Sequence, residues 1–235
     1  QHILKYVSEI SKKAQKCIDA FWPGPLTLIL HAKPNVFAPN VTAGLSTVGL
    51  RMPDHPVALE LLKMLGEPVA APSANRSGKP SPTTALHVEK DLQGRIPLIL
   101  DGGATGIGLE STVVDFTVDP PVILRPGGVT AQMLSAVIGE VIEPSTTTVD
   151  EGTVPRAPGM KYAHYAPDAP VYLIEADLNA VDRAIQSIHT QNQKVALLAP
   201  DEFQHNQADW YFSLGNQQNL EASAHHLYAH LRACD

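Results

Sequence analysis

Along the first 140 residues, apolar positions come in short runs whose spacing changes from helical to strand-like and back. In "ILKYVSEISKKAQKCIDA" (3–20), Ile3, Leu4, Val7, Ile10, Ala14, Cys17 and Ile18 fall near a 3.6-residue period and predict a helix. Pro23 and Pro25 end it, and "LTLIL" (26–30) follows as a short apolar strand. "STVGLRM" (46–52) alternates as a strand. "HPVALELLKML" (55–65) reads as a helix, with Asp54 as N-cap and Gly66 as C-cap. Further strands are predicted at 68–73, 97–103, 111–117 and 121–127, and helices at 84–92 and 130–139, the last capped by Thr130.

The texture then changes. From Pro144 to Ala169 the chain is proline-rich and has almost no aliphatic periodicity, the composition of a linker. A second pattern begins with strand "VYLIE" (171–175), helix 177–189, strand "KVALLAP" (194–200), strand "WYFSLG" (210–215) and helix 219–232. Strands alternating with helices at this spacing predict a parallel α/β unit. The linear division is therefore residues 1–143, a linker over 144–169, and a small α/β unit over 170–235.

Bulk properties narrow the class. The 235 residues are 44% hydrophobic and 17% charged, enough to bury a core, and no run approaches the roughly 20 apolar residues of a membrane-spanning helix. A net charge of −7 argues against broad nucleic-acid binding. Cys17 and Cys234 lie near opposite ends, which suits two free thiols in a reducing, cytoplasmic setting better than a disulfide framework.

Common catalytic motifs are missing. Gly106-x-Gly108 lacks the third glycine of a dinucleotide fingerprint. His226 and His230 stand four apart on the last predicted helix but have no evident third ligand, so surface histidines are the favoured reading over a metal clasp. Asp101 and Asp115 read as turn residues sooner than as acids.

What stands out is a set of loops at strand ends: Thr47 to Arg51, "APSANRSGKPSPTT" (71–84), Ser111, and Arg125-Pro126-Gly127. Pro72, Pro80 and Pro82 each fix φ and remove a donor, so the second loop is stiff, and it is lined with hydroxyls. In open α/β sheets ligands gather at such loops. Hydroxyls, backbone N–H groups and separated arginines suit a polyanion gripped without acid–base chemistry, as in phosphoryl or nucleotidyl transfer.

These residues also carry a resemblance. "FWPGPLTLIL", "STVGLRMPDHP", "APSANRSGKPSPT", "GLESTVVD" and "ILRPG" resemble, in order and spacing, the YrdC-like fold of the L-threonylcarbamoyladenylate synthases. "APGMKYAHYAP" (157–167) is similar to the linker of the long, two-domain members. The resemblance implies a twisted open α/β sheet with flanking helices, then a linker and a partial Rossmann-like α/β domain. It implies formation of threonylcarbamoyl-AMP and pyrophosphate from L-threonine, bicarbonate and ATP, with Mg²⁺ accompanying the ATP. That product serves threonylcarbamoyladenosine modification at tRNA adenosine 37, so tRNA or a tRNA-threonylcarbamoyl transferase complex is the implied downstream partner.

By the same resemblance, Arg51, Ala71 (through its backbone) and Ser111 would hold threonine. Thr47, Ser73, Ser81, Arg125 and Tyr165 would line the ATP side. A linker this polar has no core of its own, so "MKYAHYAP" is expected to fold over the cleft as a lid, the alternative being a tether with Tyr162 and Tyr165 docked on the domain surface. Family members also carry a "PTETVYGLG"-type segment and a Lys-x-Arg motif ahead of the first helix here, and a longer C-terminal domain. The chain thus reads as an internal fragment of a long-form synthase, inactive alone if those contacts are essential. Two other readings remain: a non-catalytic RNA-binding module of the same fold, and a carbamoyl transferase of the hydrogenase-maturation type.

Overall fold

The computed structural model describes residues 2–143 and 167–235. They form two compact units, the first built from residues up to 72 and from 110 onward to 143, the second from residues 73–109 and 167–235. This spatial grouping cuts the chain differently from the linear division expected above, which concerns sequence modules.

In the first unit a 3₁₀ turn (His2–Lys5) precedes helix α1 (Lys12–Phe21). Ser11 breaks what sequence periodicity joined into one helix: its backbone is extended and its hydroxyl accepts the Ala14 N–H, so the helix starts there. Strand β1 (Leu26–His31), the single turn α2 (Pro39–Thr42), β2 (Thr47–Leu50) and α3 (Pro56–Leu65) follow. The α3 N-cap is His55 rather than Asp54, because Pro56 occupies the first helical position, whereas Gly66 closes the helix with φ 68° as expected.

The unit is completed by β3 (Thr112–Asp115), β4 (Val122–Arg125) and α5 (Ala131–Ile138), which Thr130 caps. The strands assemble in the order β2-β1-β3-β4, with β1 and β3 parallel and the two outer pairings antiparallel. Period-2 alternation divides β1 between two faces. Leu26, Leu28 and Leu30 join Ala14 and Cys17 of α1 and Leu134 and Ile138 of α5 in the main core, while Ile29 packs with Val113 and Leu124 on the other side.

The second unit contains α4 (Ala85–Leu92), α6 (Leu178–His189), β5 (Ala196–Ala199), β6 (Trp210–Ser213) and α7 (Leu220–Ala233). Strands β5 and β6 are parallel, as their spacing predicted, and Val181 and Ile185 of α6 bury against Leu197 and Ala199. Asp177 and Asn219 cap α6 and α7 by accepting N–H groups three residues on.

Three predicted strands, at 68–73, 97–103 and 171–175, are irregular. Their apolar side chains are exposed, Leu98 at 71% and Leu173 at 101%, and neither sheet takes them in. An apolar run becomes a strand only when a second strand accepts its hydrogen bonds.

Candidate functional site

The register of the four-stranded sheet decides which loops meet. Leu50 pairs with Leu28, Leu26 with Thr112, and Val113 with Arg125. The start of β1, the start of β3 and the ends of β2 and β4 therefore lie along one margin of the sheet. Arg51, Ser111 and Arg125 are brought together there, as expected from their strand-end positions. Thr47 opens β2 opposite His31 and so stands at the far end, on the order of 13 Å of extended strand from Arg51.

Ser111 is buried, and its hydroxyl lies 2.8 Å from the hydroxyl of Thr27. Arg125 reaches across from β4: its Nε and Nη2 donate to the Ser111 carbonyl at 3.2 and 2.9 Å, and Nη2 also donates to the Ser111 hydroxyl at 3.2 Å. Gly127 permits that approach. A Cβ there would stand 2.5 Å from the Thr112 nitrogen and 2.6 Å from the Ser111 carbonyl carbon, so any side chain would push the Arg125–Gly127 turn off the strand. Thr112 fastens the same turn from inside, since its fully buried hydroxyl donates to the Val129 carbonyl at 2.6 Å and accepts the Val129 N–H at 2.9 Å.

Arg51 is the other cation of this margin. Its Nε donates to the Gly24 carbonyl at 2.9 Å. The residue is exposed at its outer side, but its guanidinium is partly desolvated by protein, and that burial, with the Arg125 charge beside it, lowers its pKa. Two guanidinium groups repelling each other across a hydroxyl-lined margin make a place where an anion relieves an existing electrostatic cost. Ala71 is exposed and outside regular structure in the same unit.

Ser73 and Ser81 belong to the second unit. Ser73 is exposed and Ser81 is buried. Their loop is stiffened as its prolines suggested: Lys79 N–H closes a turn on Arg76 O, Gly78 takes φ 90°, and the Asn75 side chain donates to the carbonyls of Arg76 and Lys79. Tyr165 and the proposed lid fall outside the described residues.

The lesser candidates sort by their partners. Asp101 accepts the Gly103 N–H, and Asp115 accepts the N–H and hydroxyl of Thr117, so both organise turns. His226 and His230 stack with ring centroids 5.4 Å apart, and His230 also packs against Phe212. His230 is thus part of an aromatic stack, not a plain surface histidine, and burial lowers its pKa. No group of three or more His, Cys, Asp or Glu able to hold a metal occurs among the described residues.

Sequence reasoning missed Thr27 and Arg232. Thr27 is the one hydroxyl inside an otherwise apolar strand, which was a usable signal. Arg232 gave none.

Comparison with known proteins places this geometry. Residues 1–127 match the family model of Sua5, YciO and YrdC, described as telomere recombination, and residues 129–235 match the model of the threonylcarbamoyl-AMP synthase C-terminal domain. The chain belongs to the Sua5–YciO–YrdC family. The threonylcarbamoyl-AMP synthase of Bacillus subtilis (strain 168) is 49% identical over 95% of this chain. That of Pyrococcus abyssi is 44% identical over 97%. This Sua5–YciO–YrdC chain spans 65% and 66% of the lengths of those two relatives. The crystal structure of P. abyssi Sua5 complexed with L-threonine superposes with a TM-score of 0.89 at 42% identity, covering 98% of this chain and 67% of that one. The mixed α/β fold with a twisted sheet and flanking helices is therefore that of Sua5.

Proposed function

We propose that the protein carrying this chain is an L-threonylcarbamoyladenylate synthase. The observation that carries the reading is the hold of Arg125 on Ser111 with the Arg51 guanidinium beside it, at one margin of the sheet. It is supported by the likeness to a relative described as a complex with L-threonine. Arg51, the Ala71 backbone and Ser111 hold threonine, the planar fork of Arg51 suiting a carboxylate. Thr47, Ser73, Ser81, Arg125 and Tyr165 are assigned to ATP. The linear modules 1–143, 144–169 and 170–235 stay with this proposal, although the two family models divide the chain earlier, between residues 127 and 129.

In the reaction, the threonine amine bonds to the CO₂ that bicarbonate yields on losing hydroxide, and the amine proton joins that hydroxide as water, leaving a carbamate. A carbamate oxygen then bonds to the α-phosphorus of ATP as the bond to the bridging oxygen breaks and pyrophosphate leaves. Such chemistry asks the protein for positioning and charge neutralisation more than for a nucleophile. Mg²⁺ enters with ATP as part of the substrate, held by phosphate oxygens and water. No described helix is long and apolar enough to cross a membrane. ATP as substrate and two free cysteines suit a cytoplasmic location, and the product's chemistry makes a tRNA-threonylcarbamoyl transferase its consumer.

The test is pyrophosphate release by the full-length protein. Release that needs threonine, bicarbonate and ATP together confirms the reading. Release that needs carbamoyl phosphate moves the protein to the carbamoyl transferase class. No release under either condition, with salt-sensitive RNA retention, leaves an RNA-binding module.

A further inference from the structure

Within the second unit one buried ion pair ties together segments far apart in sequence. The Arg232 and Asp91 side chains are 8% and 7% exposed, with Nη2 of Arg232 2.7 Å from Oδ2 of Asp91 and Nη1 3.2 Å from Oδ1. The same guanidinium donates Nη2 to the Pro80 carbonyl at 2.5 Å and Nε to the Ser81 carbonyl at 3.3 Å. Asp91 in turn accepts the backbone N–H of Arg76 at 3.1 Å. One ion pair therefore grips the hydroxyl-bearing loop at two points, Arg76 through Asp91 and Pro80-Ser81 through Arg232.

A second contact supports the first. The α7 backbone crosses the glycine loop so closely that a Cβ on Gly108, which has φ 80°, would lie 2.5 Å from the His225 carbonyl oxygen and 2.7 Å from that of Ala224. His225 Nδ1 sits 2.9 Å from the Gly106 carbonyl oxygen, and Thr105 N–H donates to Thr83 O. The Gly106-x-Gly108 pair thus serves a helix approach rather than a phosphate. Helix α7 lies in the segment matched to the C-terminal-domain model, whereas both loops lie in the segment matched to the first model.

We propose that α7 is a brace for the loop over residues 76–84 and that Arg232 is its positioning residue, so that nucleotide affinity depends on a residue of the C-terminal segment. The functional half rests on the assignment of Ser73 and Ser81 to ATP. A fork with five donors in one plane is what the task needs, because a carboxylate and two carbonyls are engaged at once. Lysine keeps the charge but not the fork.

The experiment uses the full-length protein with Arg232→Ala, Arg232→Lys and Asp91→Asn, and Ser81→Ala as the control for the loop. Amide exchange by mass spectrometry reports the brace, and steady-state kinetics report its use. Expected is faster exchange confined to residues 76–84 and 103–109, a KM for ATP raised about tenfold or more in Arg232→Ala, and a KM for threonine within about twofold of the parent. Arg232→Lys should recover only part of the ATP effect. Should Arg232→Ala not fold, Asp91→Asn and Arg232→Lys decide by the same readings.

Unchanged exchange in residues 76–84 overturns the brace, as does exchange raised equally in β1 and β3, which would mark general destabilisation. Selective loosening with an unchanged KM for ATP overturns its link to affinity when Ser81→Ala itself raises that KM. If Ser81→Ala also leaves it unchanged, the nucleotide assignment of the loop is what fails, and the exchange data still decide the brace.

Discussion

Replacing Thr112 by valine changes one hydroxyl into a methyl at almost constant volume, inside the margin where Ser111 and Arg125 meet. That hydroxyl is the partner of both the N–H and the carbonyl of Val129, at 2.9 and 2.6 Å, and both residues are buried, at 0% and 2% exposure. Valine leaves two backbone groups unpaired in the interior, each costing about 1–3 kcal/mol. The added buried methyl returns about 1 kcal/mol. The net expectation for Thr112→Val is a loss of about 3 kcal/mol, within a span of about 1–5 kcal/mol. Thr112→Ser keeps both hydrogen bonds, gives up one methyl, and should cost about 1 kcal/mol.

Trp22 and Trp210 are the two tryptophans, and only Trp22 belongs to the first unit. Urea unfolding followed by Trp22 fluorescence in a Trp210→Phe background therefore reads this unit. The midpoint is compared at constant slope. Thr112→Val within about 0.5 kcal/mol of Thr112→Ser would show that the paired hydrogen bonds do not hold the turn, and would refute the reasoning.

Two more outcomes are expected. Arg51→Ala in the full-length protein should raise the KM for threonine far more than that for ATP, because it removes the guanidinium that Arg125 crowds; equal losses for both substrates, or none, would take Arg51 out of the carboxylate site. Hydrogen bonding from Arg232, opposed by burial, holds the Asp91 carboxyl below its usual pKa, so its stabilisation is complete above the unfolded value of about 4 and is lost as pH falls through the lower folded value. The stability difference between the parent and Asp91→Asn should begin to shrink below about pH 4 and close below the lower folded value; curves that stay parallel down to pH 2 would show that the pair carries no such linkage.

How much of this was legible beforehand depended on how local the cause is. Strand β1, the caps at Gly66 and Thr130, and the parallel β5–β6 pair follow from short-range pattern and turn chemistry, and the structure has them. The runs at 68–73, 97–103 and 171–175 carry the same apolar signal but join neither sheet, and nothing inside the run reports that. Arg51, Ser111 and Arg125 were readable because each sits beside a strand end. Thr47 also adjoins a strand, but the antiparallel register sends it to the opposite margin. Arg232 binds a carboxylate 141 residues away, a relation that no window along the chain contains.

The central pairing also bears on the order in which the protein is made. Strand β1 finds β2 soon after synthesis, since only residues 32–46 intervene, but its other edge waits for β3 until residues 32–111 have emerged. During that interval a row of apolar side chains, Leu26, Leu28 and Leu30, stands beside an open edge of backbone donors and acceptors, the arrangement that invites strands of other chains. A nascent chain stalled before Thr112 is thus a different object from one stalled after Asp115: the first offers a sticky half-sheet to its neighbours on the polysome, and the second has closed it.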